Sequence, residues 1–128
     1  MHKSKTSQIG SLGEQIASSF LQRKGFRVIS LNYRKPWGEI DVIAERDNVV
    51  RFVEVKTLTG DTEMLSRESN GYQPEQQIHG AKLQKIVRTA ALYMEHARDD
   101  REYQIDAIAV ILDPITRRAR CRHYEQIL

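Results

Sequence analysis

At 128 residues, with 40% hydrophobic and 29% charged side chains, the chain is sized for one domain with a single two-layer core. Its net charge is +3, from 20 basic and 17 acidic side chains, which permits a nucleic-acid partner without establishing one. The single cysteine, Cys121, excludes an intrachain disulfide and fits a reducing cytosol. No apolar run reaches 18 residues and the basic start MHKSKTSQ lacks a signal peptide's apolar core, so a cytoplasmic protein without a membrane span is expected.

Residues 1–8 read as a flexible tail. Ser11-Leu12-Gly13-Glu14 then fits a capping box, with Ser7 as an alternative start one turn earlier. Ile9, Leu12, Ile16, Ala17, Phe20 and Leu21 recur at helical spacing, and Gly25 is a natural stop. Glu14 lies at the border of that apolar stripe. Local sequence favours a capping role for it; the other reading points it along the sheet surface toward another site. Arg27–Tyr33 follows as a strand, and Pro36-Trp37-Gly38 breaks the chain, leaving Arg34 and Lys35 in a connecting loop.

Ile40–Glu45 and Val49–Lys56 flank Arg46-Asp47-Asn48, a pattern that predicts a β-hairpin. With Asp47-Asn48 as a two-residue loop, Val42 pairs with Val53, Ile43 with Phe52 and Ile40 with Val55. Asp41 then stands opposite Glu54 on one face, and alternation puts Lys56 on that face too. Opposed carboxylates repel, so a proton, a cation or Lys56 must offset them. One reading is a divalent-cation site. The other is a surface hairpin with a Glu39–Lys56 cross-strand pair, and spacing alone does not separate the two.

Thr59 to about Gln73 is polar and aperiodic, long for a loop in a compact domain, and reads either as a mobile flap beside the site or as an incidental insertion. Pro74-Glu75 suits the start of a helix running to about Ala97, buried through Leu83, Ile86, Val87, Ala90, Tyr93 and Met94, with Lys82, Lys85 and Arg88 toward its other side. Tyr103–Leu112 predicts a central strand and Ala119–Tyr124 a last one. Arg118, Arg120 and Arg122 alternate on one face there, either as a duplex-binding stripe or, the favoured reading, as protection of an edge strand. His79 and His123 have no partners at metal-ligand spacing. The order αβββαββ predicts an α/β protein: a mixed five-stranded sheet flanked by two helices, with a right-handed parallel crossover between the third and fourth strands.

This order, with a glutamate on the first helix followed by D-x12-E-V-K, resembles the PD-(D/E)XK nuclease superfamily and its restriction-endonuclease-like fold. Gly13-Glu14, Lys24-Gly25-Phe26, Asn32-Tyr33-Arg34, Gly38-Glu39-Ile40-Asp41-Val42-Ile43-Ala44 and Phe52-Val53-Glu54-Val55-Lys56 look like the motif series of the bacterial YraN-like family, which is largely uncharacterised and similar in fold to archaeal Holliday-junction resolvases. The resemblance runs from about Ile9 to Tyr124. It departs at Ile40, where the superfamily's first motif has proline. It departs again at Gln104-Ile105-Asp106, where the family pattern resembles Arg-Phe-Asp.

The resemblance implies that Asp41, Glu54 and the backbone carbonyl of Val55 ligate Mg²⁺ or Mn²⁺, and that Glu14 acts as an outer ligand through water. Lys56 would orient the attacking water or stabilise the phosphate charge. Glu14, Asp41, Glu54 and Lys56 are thus the expected catalytic set. Arg34 and Lys35 are candidates for phosphate contacts, against the reading of a solvated turn. The function implied is a metal-dependent endonuclease acting on branched or flapped DNA. A non-catalytic nucleic-acid-binding protein is the alternative, and an interaction module a remoter one. Nucleases that make paired cuts generally work as dimers, so a homodimer is among the expectations, although the sequence marks no interface.

Overall fold

A computed structural model describes residues 5–60, 78 and 80–128, with side chains from Gln8 onward. Its elements are α1 (Lys5–Arg23), β1 (Arg27–Lys35), β2 (Gly38–Arg46), β3 (Val49–Thr59), α2 (Gly80–His96), β4 (Glu102–Leu112) and β5 (Ala119–Tyr124). The strands form one sheet in the order β1-β2-β3-β4-β5, with β3 and β4 parallel and every other neighbouring pair antiparallel. The parallel pair is the one joined through α2. This is an α/β arrangement consistent with a restriction-endonuclease-like fold. No described helix is long and apolar enough to cross a membrane.

Apolar residues on the two sides of the sheet build two cores. On one side Ala17 and Leu21 of α1 pack with Phe26, Val42, Ala44, Val53, Ile108 and Val110. On the other, Ile86, Ala90 and Met94 of α2 pack with Ile40, Ile43, Phe52 and Ile105. Phe52 and Val53 are neighbours in the chain yet belong to different cores, as strand alternation requires when both faces are covered. β4 is buried from Ile105 to Ile111, which fits its central position.

The turns carry the register. Asp47 and Asn48 both take positive φ, 54° and 64°, so the hairpin closes through a two-residue turn of the kind that matches strand twist. The ladder then runs Arg46↔Val49, Ala44↔Arg51, Ile43↔Phe52 and Val42↔Val53. Gly25, at φ 89°, ends α1: its N–H donates to the Gln22 carbonyl at 3.0 Å, and that of Phe26 to the Leu21 carbonyl at 3.0 Å. This pair of bonds is a Schellman stop, which satisfies carbonyls the helix end would otherwise leave bare.

Three expectations change. Ser11 to Glu14 do not cap a helix; α1 already includes Lys5, so Glu14 sits in mid-helix and residues 5–8 belong to the helix rather than to a tail. The packed part of the apolar stripe begins at Ile16 and Ala17, whereas Ile9 and Leu12 stay exposed, so the first turns of α1 extend a helix nucleated by the packed part rather than resting on burial of their own. Arg34 and Lys35 close β1 instead of lying in a loop, paired with Glu39 and Gly38 across a Pro36-Trp37 turn. β3 continues past Lys56 to Thr59, alongside Leu112 of β4. The expected helix start at Pro74-Glu75 and residues 61–73 of the expected flap lie outside the described residues, as does His79.

Candidate functional site

The hydrogen-bonded register of β2 with β3 stops at Val42↔Val53, just before Asp41 and Glu54. Beyond that point Asp41 replaces the ladder with its side chain: the N–H of Val55 donates to Oδ2 of Asp41 at 2.8 Å. In a strand the N–H and C=O of one residue point to the same edge. The Val55 carbonyl therefore faces the same opening between the strands.

Across this opening the carboxyl groups of Asp41 and Glu54 lie close enough to act on each other, and the charge of Glu14 on α1 acts on Asp41 as well. Burial, and then the charge of Glu54, push Asp41 up to about 8 against the opposing pull of the Val55 N–H, with Glu14 adding to the rise. The charged form of Asp41 is thereby disfavoured relative to an ordinary aspartate. Two strands thus bring two carboxylates together, and a helix sets a third near enough for its charge to be felt.

Gly13 explains how Glu14 reaches it. A Cβ at Gly13 would collide with the side chain of Thr57, so α1 lies closer to β3 there than any other residue allows. The next residue, Glu14, is half-buried at that close approach.

On the other side of the opening stands α2. Nζ of Lys82 lies 2.8 Å from Oε1 of Glu54. The Glu54 side chain is 14% exposed and that of Lys82 59%, so the carboxylate is held and the ammonium group reaches in from solvent. The sequence reading set Lys82 on the far side of its helix. The buried residues Ile86 and Thr89 show instead that Lys82, one turn before Ile86, extends the sheet-facing stripe past the edge of the core. That spacing was readable in advance, but the phase of α2 over the sheet was not.

A cleft of about 740 Å³ opens beside Glu54, and Lys35, Trp37, Glu39, Lys82, Lys85 and Arg88 are among the residues lining it. Lys35 thus reaches the neighbourhood of the carboxylates, with its ammonium group over the Tyr33 ring at 5.4 Å. Arg34 turns to Glu39 in an exposed pair at 3.6 Å. Lys56 is exposed on β3, two residues beyond Glu54 and on the same side of the strand by alternation.

A second polar cluster lies away from these residues. Asp106, fully buried on β4, accepts from Arg51 at 3.0 Å, from the Gln104 side chain at 2.8 Å and from the Gln126 N–H at 2.8 Å, and meets His123 Nε2 at 2.7 Å. Burial pushes its carboxyl up, but these bonds, led by His123, outweigh burial and hold it below the ordinary carboxylate range. Asp106, His123 and Glu125 each offer a ligand atom within 4.8 Å of the others and could hold a metal ion. Arg51, however, already stands there as the cation, bonded to both Asp106 and Glu125, the latter at 2.7 Å. Gln104 serves this network through its bond to Asp106. Sequence reading gave His123 no role, because its partners lie on strands distant in the chain.

The chain matches the sequence profile of the uncharacterised protein family UPF0102 over residues 13–110. It is 30% identical to a UPF0102 protein of Corynebacterium efficiens over 126 residues, 98% of this chain and 95% of that one. It is 38% identical to one of Syntrophotalea carbinolica over 103 residues, covering 80% and 77%. A UPF0102 protein of Campylobacter lari is 32% identical over 106 residues, covering 83% and 86%. The matched span contains Glu14, Asp41, Glu54, Lys56 and Lys82, whereas His123 and Glu125 lie beyond it.

Proposed function

The chain belongs to the UPF0102 family, also called YraN, and we propose that it is a divalent-metal-dependent endonuclease that hydrolyses phosphodiester bonds in branched or flapped DNA. The observation that carries this reading is the opening between β2 and β3, where the Val55 N–H holds the Asp41 carboxylate beside Glu54 and the ladder between the strands has ended. All the donors there are hard oxygens, the set that suits Mg²⁺ or Mn²⁺. Burial and the facing carboxylate both disfavour charge on Asp41, and a cation bound there would offset them.

Asp41, Glu54 and the Val55 carbonyl would hold the ion, with Glu14 as an outer partner through water. When bound, the ion lowers the pKa of a coordinated water and offsets charge gathering on the phosphate. The Val55 N–H fixes the Asp41 carboxylate through Oδ2, and Oδ1 is the oxygen that would meet the ion. Lys56 positions the attacking water or neutralises a phosphate oxygen from the solvent side. Lys35, on the wall of the cleft, contacts the strand backbone and sets its register without reading sequence. Arg34 assists only if it leaves Glu39. The cytoplasm is the compartment proposed, and a homodimer the assembly that paired cuts require.

One observation favours a second reading, a non-catalytic nucleic-acid-binding protein: Glu54 already has a cation in Lys82. Nicking of a synthetic junction or flap separates the two. The nuclease reading expects cleavage in Mg²⁺ or Mn²⁺ that is abolished by Glu54→Ala while the circular dichroism spectrum stays unchanged. If DNA binding survives that substitution and the wild type cuts nothing in a panel of DNA and RNA substrates, the binding reading stands instead.

A further inference from the structure

We propose that Lys82 is a displaceable counter-ion, holding Glu54 while the site is free of metal and contacting a substrate phosphate once a divalent ion has taken that carboxylate. The inference rests on the metal reading above. Its basis is an asymmetry in the pair: Glu54 is anchored on a central strand and nearly buried, whereas Lys82 is well exposed on a flexible four-carbon stem. A divalent ion bound by Glu54 and Asp41 places two positive charges within a few ångströms of this ammonium group. Repulsion then drives the mobile partner away, and exposed pairs of this kind hold weakly.

The direction of release is set by the cleft. Lys82, Lys85 and Arg88 project from successive turns of α2 into a wall that Lys35 completes from the end of β1. The acidic side chains lining it are Glu54 and Glu39, and Glu39 is paired with Arg34. A bound ion would cancel Glu54 as well and leave a cationic channel leading to the carboxylates. Compact anions at regular spacing match such a wall, as a nucleic-acid backbone provides. Lys82 is the member of the wall that touches the metal site.

The test is Mn²⁺ titration by calorimetry, with no nucleic acid present, on wild type, Lys82→Met, Lys82→Arg and Lys85→Met. A parallel series measures binding of a labelled four-way DNA junction at fixed salt with Ca²⁺. Removing the competing ammonium is expected to tighten Mn²⁺ binding of Lys82→Met by about twofold to fivefold, the upper part of the range of an exposed ion pair. The same substitution weakens junction binding several-fold, and Lys82→Arg restores it. Lys85→Met removes one charge from the same wall and leaves Mn²⁺ affinity near wild type. Unchanged Mn²⁺ affinity in Lys82→Met overturns the proposal, and so does unchanged junction affinity. If wild type takes up no Mn²⁺ at all, the metal reading itself has failed and this inference falls with it, an outcome told apart by appearing in the unsubstituted protein.

Discussion

Asp106 shows how one buried charge is made tolerable. It has no exposure to solvent and is surrounded by four hydrogen-bond partners, one of them the guanidinium of Arg51. Asp106→Asn keeps the shape but leaves Arg51 without its buried carboxylate, and should destabilise the fold by about 3–5 kcal/mol. The sign with pH follows from its depressed carboxyl. The stabilisation is present in full above the ordinary value of 3.8 and is lost as pH falls through the lower folded value. Urea unfolding at pH 7 and pH 3 should therefore show the deficit of the variant narrowing in acid; an equal deficit at both would place the effect outside ionisation. Little of this network was legible in the sequence, because Arg51, Asp106 and His123 meet only through a parallel pairing and a further antiparallel one. The nearness of Asp41 and Glu54 was legible, because the two-residue turn fixes the register as far as Val42↔Val53, the pair next to them; the expected pairing of Ile40 with Val55 is absent from the ladder, which gives way there to the bond from the Val55 N–H to Asp41. The partner of Glu54 was not. The hairpin supplies Lys56 on the same side, but the ammonium group in contact belongs to Lys82, on a helix whose placement depends on tertiary packing.

At the level of elements, α1 and the hairpin turn make opposite demands on their residues. In α1 the demand is for absence. Gly13→Ala gains helix propensity of up to about 1 kcal/mol but thrusts a methyl group into Thr57, and overpacking of that kind costs about 1–3 kcal/mol. A net loss in thermal unfolding is expected, partly recovered by adding Thr57→Ala; no recovery would mean that the contact with Thr57 is not the cause. In the turn the demand is for positive φ. Asn48→Gly should be neutral or slightly stabilising, whereas Asn48→Val should cost about 1–2 kcal/mol, because a β-branched residue resists the left-handed region. Equal stability of the two variants would show that the turn has changed type. The strand order and most strand limits could be read from periodicity. The start of α1 could not, since Ser11 and Glu14 satisfy the local pattern of a helix start while the helix packed through Ala17 and Leu21 propagates past it.

The whole molecule is a sheet between two helices whose hydrophobic faces have separate cores, and the site lies where that construction opens. β2 and β3 part after Val42 and Val53; α1 brings Glu14 from one face and α2 brings Lys82 from the other. Each helix is held by its own core, so the carboxylates are positioned by rigid elements and only the lysine is free to yield. Among the described residues two clusters carry metal-ligating side chains, and they differ in how their charge is met: buried Asp106 and exposed Glu125 by Arg51, which is itself buried, and Glu54 by Lys82, which is exposed. The most direct measurement is anomalous diffraction from a crystal soaked in Mn²⁺. The expected result is a peak between Asp41 and Glu54, within ligand distance of the Val55 carbonyl, with Lys82 withdrawn from Glu54. A peak at Asp106, His123 and Glu125 instead, or none at Asp41 and Glu54, would contradict the account.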